Sequence, residues 1–333
     1  MATITPGVVT PVAAPFNTNP AYSGTFIPTL WSSRLNYKFY TASVFGEIAN
    51  TDWEGEIKSM GDKIVINNIP DIAISSYTVG TGLAYQVPTP STIELTVNNG
   101  KYFAFQVHDV LAYQAQPKLM DVFSNDASMQ MKVAIDSTTL YNTFSTGDAA
   151  NKGATAGVKS ASYNLGSDTA PVTLSASNVL STLTALSGVL DEQNVPETDR
   201  YLVIDPVTRQ VLMQSNLAQA QFMGDSSSMV RNGKIGIIDR FTVYVSNNLP
   251  RAVAGSATPW LSGDGTEYSI TSASGLKRRA IIAGHKSAIS FAAQMNKVET
   301  VRNPSDFGDY VRGLHIFGYK VVKPQSLAVA IVA

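Results

Sequence analysis

Few side chains in this 333-residue chain have the type and spacing that covalent or metal chemistry requires. Gly80-Thr81-Gly82 and Gly233-Lys234-Ile235-Gly236 have the composition of a phosphate loop. Such a loop needs GxGxxG between a strand and a helix, or a closing GK[ST], so that its amides converge on one anion. Neither pair completes these patterns, and both read as turn glycines. Gly224-Asp225-Ser226 has the outline of a nucleophile turn, but it sits in a serine-rich run without GxSxG or a nearby histidine. His108 and Asp109 are an acid–base pair in sequence. Adjacent side chains point to opposite faces of a strand, or about 100° apart on a helix, which denies them a joint role. His285 and His315 lie in apolar or glycine contexts and read as structural. No HExxH or HxH spacing occurs, and Asp264-Gly265 lacks the oxygen-ligand spacing of a calcium loop. Cysteine is absent, which excludes disulfides, thiolate zinc sites and cysteine nucleophiles. The expectation is a protein with no catalytic residues, no metal and no cofactor.

Charge is sparse and unevenly placed. Charged residues make up 15% of the chain, where an ordinary soluble domain has about 25%. Residues 1–199 hold 9 basic and 17 acidic side chains, a net of −8; residues 200–333 hold 15 and 8, a net of +7. A chain polarised in this way can join head to tail with copies of itself; the alternative is two domains that differ in composition. Lys277-Arg278-Arg279 is the one basic run. It reads as a solvated turn before a strand at Ile281, or as a contact for an acidic neighbouring subunit or for phosphate. With a total charge of −1 and no interleaved aromatics, it does not read nucleic-acid sequence.

The elements that would position these groups are of unusual kinds. Residues 1–33 carry no charge, are broken by Pro6, Pro11, Pro15, Pro20 and Pro28, and show no period. They read as an arm rather than a signal segment, and anchors such as Phe16, Tyr22, Phe26 and Trp31 call for a surface to pack on. No run of 18 apolar residues exists, so no membrane contact is expected. Lys63–Asn67 and Ile93–Val97 read as two strands of an extended hairpin, which is marginal in water without a partner. Met120, Phe123, Ala127, Met131, Ala134 and Tyr141 recur at helical spacing between Pro117 and Gly147, a helix of about 40 Å. Residues 148–176 read as loop. A second helix follows, with Ser177 as cap and Leu183, Leu186 and Leu190 on one side. Tyr201–Ile204 reads as a buried strand, and Asp205-Pro206 as the cap and first residue of a helix to about Ser215. Ile235–Val245 is β-rich, 252–278 is again Gly/Ser/Thr-rich, and the last third ends in strands at 281–283, 289–293, 311–320 and 327–332.

An arm, a ribbon that cannot stand alone and an overlong helix are parts of an assembling protein. In this order they resemble the major capsid proteins of tailed bacteriophages with the Hong Kong 97-type fold, of the kind found in podophages and cyanophages. The resemblance spans nearly the whole chain. It rests on Phe26–Ser33, on Gly61–Ile66 with Tyr77 and Tyr85-Gln86, on Leu190–Pro196 with Arg200–Val203, on Gly233–Gly236 with Phe241–Pro250, and on Ala293–Glu299, Phe307–Gly313 and Tyr319–Val322.

The resemblance implies an α+β fold. Its parts would be an N-terminal arm (1–45), an extended β-hairpin or E-loop (46–104), a P domain with a spine helix (105–175), an A domain (176–285) and a return to the P domain (286–333). It implies a non-enzymatic coat protein of the virion, made in the host bacterial cytoplasm, that self-assembles into hexamers and pentamers of an icosahedral head. Double-stranded DNA would be packaged without sequence-specific contact. The portal would be a partner, together with any separate scaffolding or decoration protein, since no charged helical pro-domain opens the chain. Trp53, Glu54 and Glu56 near the base of the ribbon, and Lys277, Arg278 and Arg279, are the inter-subunit contact candidates. The chain departs from the family at Asp239-Arg240, where relatives often have a glycine. The alternatives are a nanocompartment shell of the same fold and a β-rich hydrolase or lectin-like binding domain.

Overall fold

A computed structural model describes residues 43–52, 63–70, 72–80, 82–83, 85–109, 119–215, 236–252, 259–261, 267–271, 277–304 and 306–333. The expected arm up to residue 42 lies outside them, as do Trp53, Glu54 and Glu56. The strands in chain order are β1 (Lys63–Asn68), β2 (Ser91–Thr96), β3 (Asn99–His108), β4 (Arg200–Ile204), β5 (Ile237–Ile238), β6 (Phe241–Val245), β7 (Arg251–Ala252), β8 (Pro259–Leu261), β9 (Glu267–Thr271), β10 (Arg278–His285), β11 (Ile289–Arg302), β12 (Gly308–Val321) and β13 (Leu327–Val332).

Strands that are apolar at every position must be covered on both faces. β4 from Tyr201 onward, β10 from Ala280 to Gly284 and all of β13 are such runs, and they form the middle of an eight-stranded mixed sheet ordered β5-β6-β4-β10-β7-β8-β9, with β13 also on β10. Their side chains divide with a period of two. Tyr201, Val203, Ala280, Ile282, Leu327 and Val329 enter one core with Ile135, Leu140, Tyr141 and Phe144 of the long helix Leu119–Thr146. Leu202, Ile204, Ile281, Ala283, Ala328 and Ala330 enter the other, with Val179, Leu183, Leu186 and Leu190 of helix Val179–Glu192. The helix Pro206–Gln214 begins as expected: Asp205 accepts from the Val207 and Thr208 amides, and Pro206 takes the first position. Ser177, expected as the cap of the second helix, is not its cap. Asn178 holds that place, with its own side chain turned back to the Ser175 amide and the Thr173 carbonyl. The Gly/Ser/Thr-rich stretch after 250 supplies β7, β8 and β9, since backbone pairing at a sheet edge asks for no apolar period.

Two buried polar groups tie these layers together. The one-turn helix Phe45–Ile48 has no capping side chain at Val44. Asp136, from the middle of the long helix, accepts from the Val44 and Phe45 amides at 2.9 and 2.8 Å and from Asn248 Nδ2 at 2.7 Å. Arg200 donates to the Val195 and Pro196 carbonyls at 2.7 and 2.8 Å and to Asp191 at 2.7 Å, pinning the turn before β4.

The second sheet is β11-β12-β3, all antiparallel. Its β11–β12 hairpin runs 14 residues in each strand and carries the stacked rings of Phe291, Phe317 and Tyr319. The hairpin of β1 and β2 is the third sheet. Where the expected ribbon ran to residue 104, β3 begins at Asn99 and pairs with β12, with the Phe103 ring lying over Gly313.

Candidate subunit interface

The described residues of the ribbon are seated on β11 through a small apolar cluster. Ile64 faces Leu95 and Ile66 faces Ile93 across the strands. Of these, Leu95 is wholly buried, against Ala292 of β11. Ala292 pairs with Gly318. A Cβ on Gly318 would stand 2.4 Å from the Thr96 carbonyl oxygen, so glycine there lets the ribbon lie flat on the hairpin. On the other face Lys63 and Glu94 pair at 3.3 Å.

Past Asn68 the ribbon opens into a long loop whose two arms are clipped together by Gln86. Its amide accepts from the Ala73 N–H at 3.1 Å and donates to the Ala73 carbonyl at 3.2 Å, imitating a ladder step. Gly80 takes a positive φ of 87° in the turn, the structural role expected of it. Ile69, Ile74, Val79, Tyr85 and Val87 each keep 85–93% of their surface exposed, and Ile72, Tyr77 and Leu83 more than 60%. A stable monomer does not leave so many large apolar groups on one projection.

The β11-β12-β3 sheet offers two further surfaces. On its outer face Tyr102, Leu314 and Lys297 form one cross-strand row, and Ala104, Arg312 and Glu299 the next. Lys297 and Arg312 both bond Glu299 and hold its carboxyl below the usual glutamate range. On the inner face an open groove of about 450 Å3 separates β3 from the long helix, walled by Phe103, Phe105, Phe123 and Met131. Phe105 and Phe123 meet edge to face across it at 5.9 Å.

His108 and Asp109 have separate partners. His108 Nδ1 lies 3.3 Å from Asp306, and Asp109 pairs with Arg302, which also reaches Asp309 at 3.3 Å. Burial pushes the His285 imidazole down, and its Nδ1 accepts from the Ser287 amide at the start of a 3-10 turn. His315 stacks on Phe317. The structure therefore gives both histidines packing and capping work.

The basic run is split by its strand. Lys277 is exposed. Arg278 is a correction: it is neither in a solvated turn nor available to a neighbour. It lies fully buried in β10 and pairs with Asp168. Arg279 is three-quarters buried, with Nε 3.5 Å from Asp205. Directly opposite it on β7 stands Arg251, which no sequence spacing singles out, because strand pairing joins positions 28 residues apart. The turn at Asp239-Arg240 has φ of 43° and 68°, the left-handed conformation that glycine adopts most readily. The departure from glycine is thus one of residue type, and Arg240 there bonds Asp191 and Glu197 at 3.4 and 3.2 Å.

Among the described residues no three His, Cys, Asp or Glu side chains are placed to hold a metal, and no helix is long and apolar enough to cross a membrane.

Comparison with known proteins points one way. Residues 89–330 match the family described as phage capsid protein. No curated protein matches the sequence. Among solved structures the fold is similar to "Mycobacterium phage Che8", with 22% identity, TM-score 0.70, and 92% of this chain and 97% of that one covered. It is similar to "Capsid structure of the Cyanophage P-SCSP1u", with 16% identity, TM-score 0.68, and coverage of 100% and 99%. It also resembles "Asymmetric unit of bacteriophage PhiM1 mature capsid", with 11% identity, TM-score 0.65, and coverage of 97% and 99%. The α+β, Hong Kong 97-type fold expected from the sequence is the one these likenesses bear out.

Proposed function

This chain belongs to the phage capsid protein family, and from that premise we propose that it is the subunit of hexamers and pentamers that tile an icosahedral phage head around double-stranded DNA. Its role is structural rather than enzymatic, which sets aside the hydrolase or lectin-like alternative. The observation that carries the assembly reading is the ribbon loop: eight large apolar side chains, all more than 60% exposed, on a projection whose described residues are seated through Leu95 with Ile64, Ile66 and Val97 around it. Covering such surface yields roughly 25 cal/mol per Å2, and among the described residues none covers it. A neighbouring copy fits, because closed rotational symmetry lets one kind of contact repeat without growing indefinitely.

In this reading the ribbon is the E-loop, the helix Leu119–Thr146 the spine, and residues 176–285, with β4 to β10 and the helices Val179–Glu192 and Pro206–Gln214, the A domain. The portal, and separate scaffolding and decoration proteins, are the expected partners, with synthesis in the bacterial cytoplasm and residence in the virion head. The near-neutral total charge suits non-specific DNA packaging, since tight phosphate contacts would hold DNA on the wall.

Small-angle X-ray scattering with inline sizing across concentration tests this. A compact 333-residue globule has a radius of gyration of about 20 Å. Ring- and shell-sized species that grow with concentration are expected. A compact monomer near 20 Å at every concentration would overturn the reading. Shells that package an enzyme and no DNA would favour a nanocompartment instead.

A further inference from the structure

At the C-terminal ends of the parallel strands β4 and β6 the chain turns away at Asp205 and Ser246. A recess of about 140 Å3 opens there, lined by Asp205, Val207, Ser246, Asn247, Arg251 and Arg279 among others. Its charges do not balance. Arg251 and Arg279 are direct cross-strand partners, and like charges placed directly opposite repel. Asp205 is the one carboxylate in the lining, and it is already engaged: both its oxygens accept from the amides that open the following helix. Arg279 Nε stands 3.5 Å from Asp205, and no acceptor among the described residues completes a hydrogen bond to it. Arg251 is exposed, and no carboxylate among the described residues lies within ion-pair distance of it. Two guanidinium groups facing one committed carboxylate leave an excess of one positive charge.

We propose that this recess receives a single carboxylate side chain from a second copy of this chain, held by Arg251 with Arg279 as the subunits join. The proposal rests on the assembly reading above and specifies one contact within it. The size and charge of the site select the donor. One incoming carboxylate cancels the excess charge and matches the fork of an arginine. A DNA strand would instead bring a row of phosphates to a wall that holds Asp205. The same chain is rich in donors, because residues 1–199 carry 17 acidic side chains against 9 basic ones. Head-to-tail pairing of this kind repeats around a ring without requiring any copy to contact itself.

The test compares wild type with Arg251→Glu and Arg251→Lys, using purified full-length protein, thermal melts, sedimentation and electron microscopy. The Arg251 side chain is exposed, so both variants are expected to melt like wild type. Arg251→Glu is expected to raise the protein concentration needed for assembly about tenfold or more, and Arg251→Lys to restore most of the loss. Assembly of Arg251→Glu at the wild-type concentration overturns the proposal. So does a variant that assembles normally but fails to protect DNA from nuclease, which would assign the recess to phosphate. Melting alike but assembling equally poorly in both variants would also overturn it, since charge would then not be what matters. If wild type itself forms no shells, the assembly reading falls first and the carboxylate contact falls with it, an outcome separable from a defect confined to the variants.

Discussion

Asp136 is a carboxylate enclosed by neutral donors, two backbone amides and one side-chain amide, with full burial. Burial outweighs those three hydrogen bonds and pushes its pKa up. For an acid whose folded value is raised, the folded state holds its proton longer than the unfolded chain does. Stability from this group is therefore present at low pH and is lost as pH rises from the ordinary carboxylate value, about 3.9, through the raised folded value. Asp136→Asn keeps an oxygen for the Val44 and Phe45 amides and needs only a rotation of Asn248. The melting temperature of wild type relative to Asp136→Asn should fall as pH rises above about 4, and parallel curves would refute this. Arg200 makes the opposite case, a buried cation satisfied by two carbonyls and a half-exposed Asp191. Solvent screens the ion pair, so the loss in Arg200→Ala comes chiefly from the Val195 and Pro196 carbonyls left dry. A destabilisation of about 3 kcal/mol is expected from urea midpoints at constant m, and less than about 1 kcal/mol would contradict that account.

At the scale of elements the ribbon is the informative case. Alternation of Ile93, Leu95 and Val97 was enough to read β2 as half-buried, and the structure pairs it with β1 in one register. What the alternation could not convey is that its buried face rests on Ala292 and Gly318, which come some 200 residues later. Leu95→Ala removes the one fully buried side chain among the described residues of the ribbon. We expect amide exchange in residues 63–68 and 91–96 to accelerate about a hundredfold, corresponding to about 3 kcal/mol of local stability, while the main melting transition stays put. A fall in global stability with no local acceleration would mean that the ribbon is part of the core. Gly318→Ala tests the same seat from below, because its methyl group would displace the Thr96 carbonyl.

For the whole molecule, assembly and folding should separate. The cores on the two faces of the central sheet account for the fold without help from the ribbon loop, whose large side chains stay in solvent. Reversal of both Glu54 and Glu56 to lysine, the contact candidates the sequence singles out, should therefore impair shell formation in sedimentation while leaving the thermal melt of the subunit unchanged. Normal shells from that double variant would remove electrostatics from this contact.

The chain's own pattern was sufficient for its three longer described helices, though not for Phe45–Ile48, for the strands at 63–67, 201–204, 281–283 and 327–332, and for the absence of a recognisable catalytic motif. Those features depend on local periodicity, caps and residue type, which are written in consecutive positions. The tertiary structure decided which charges are accessible. Arg278, Arg279 and Arg251 look alike in sequence; yet the first is sealed against Asp168, the second shares Asp205, and the third faces solvent. That difference arises from which strand lies beside which, and strand neighbours are set by packing between segments far apart in the chain, not by the residues on either side.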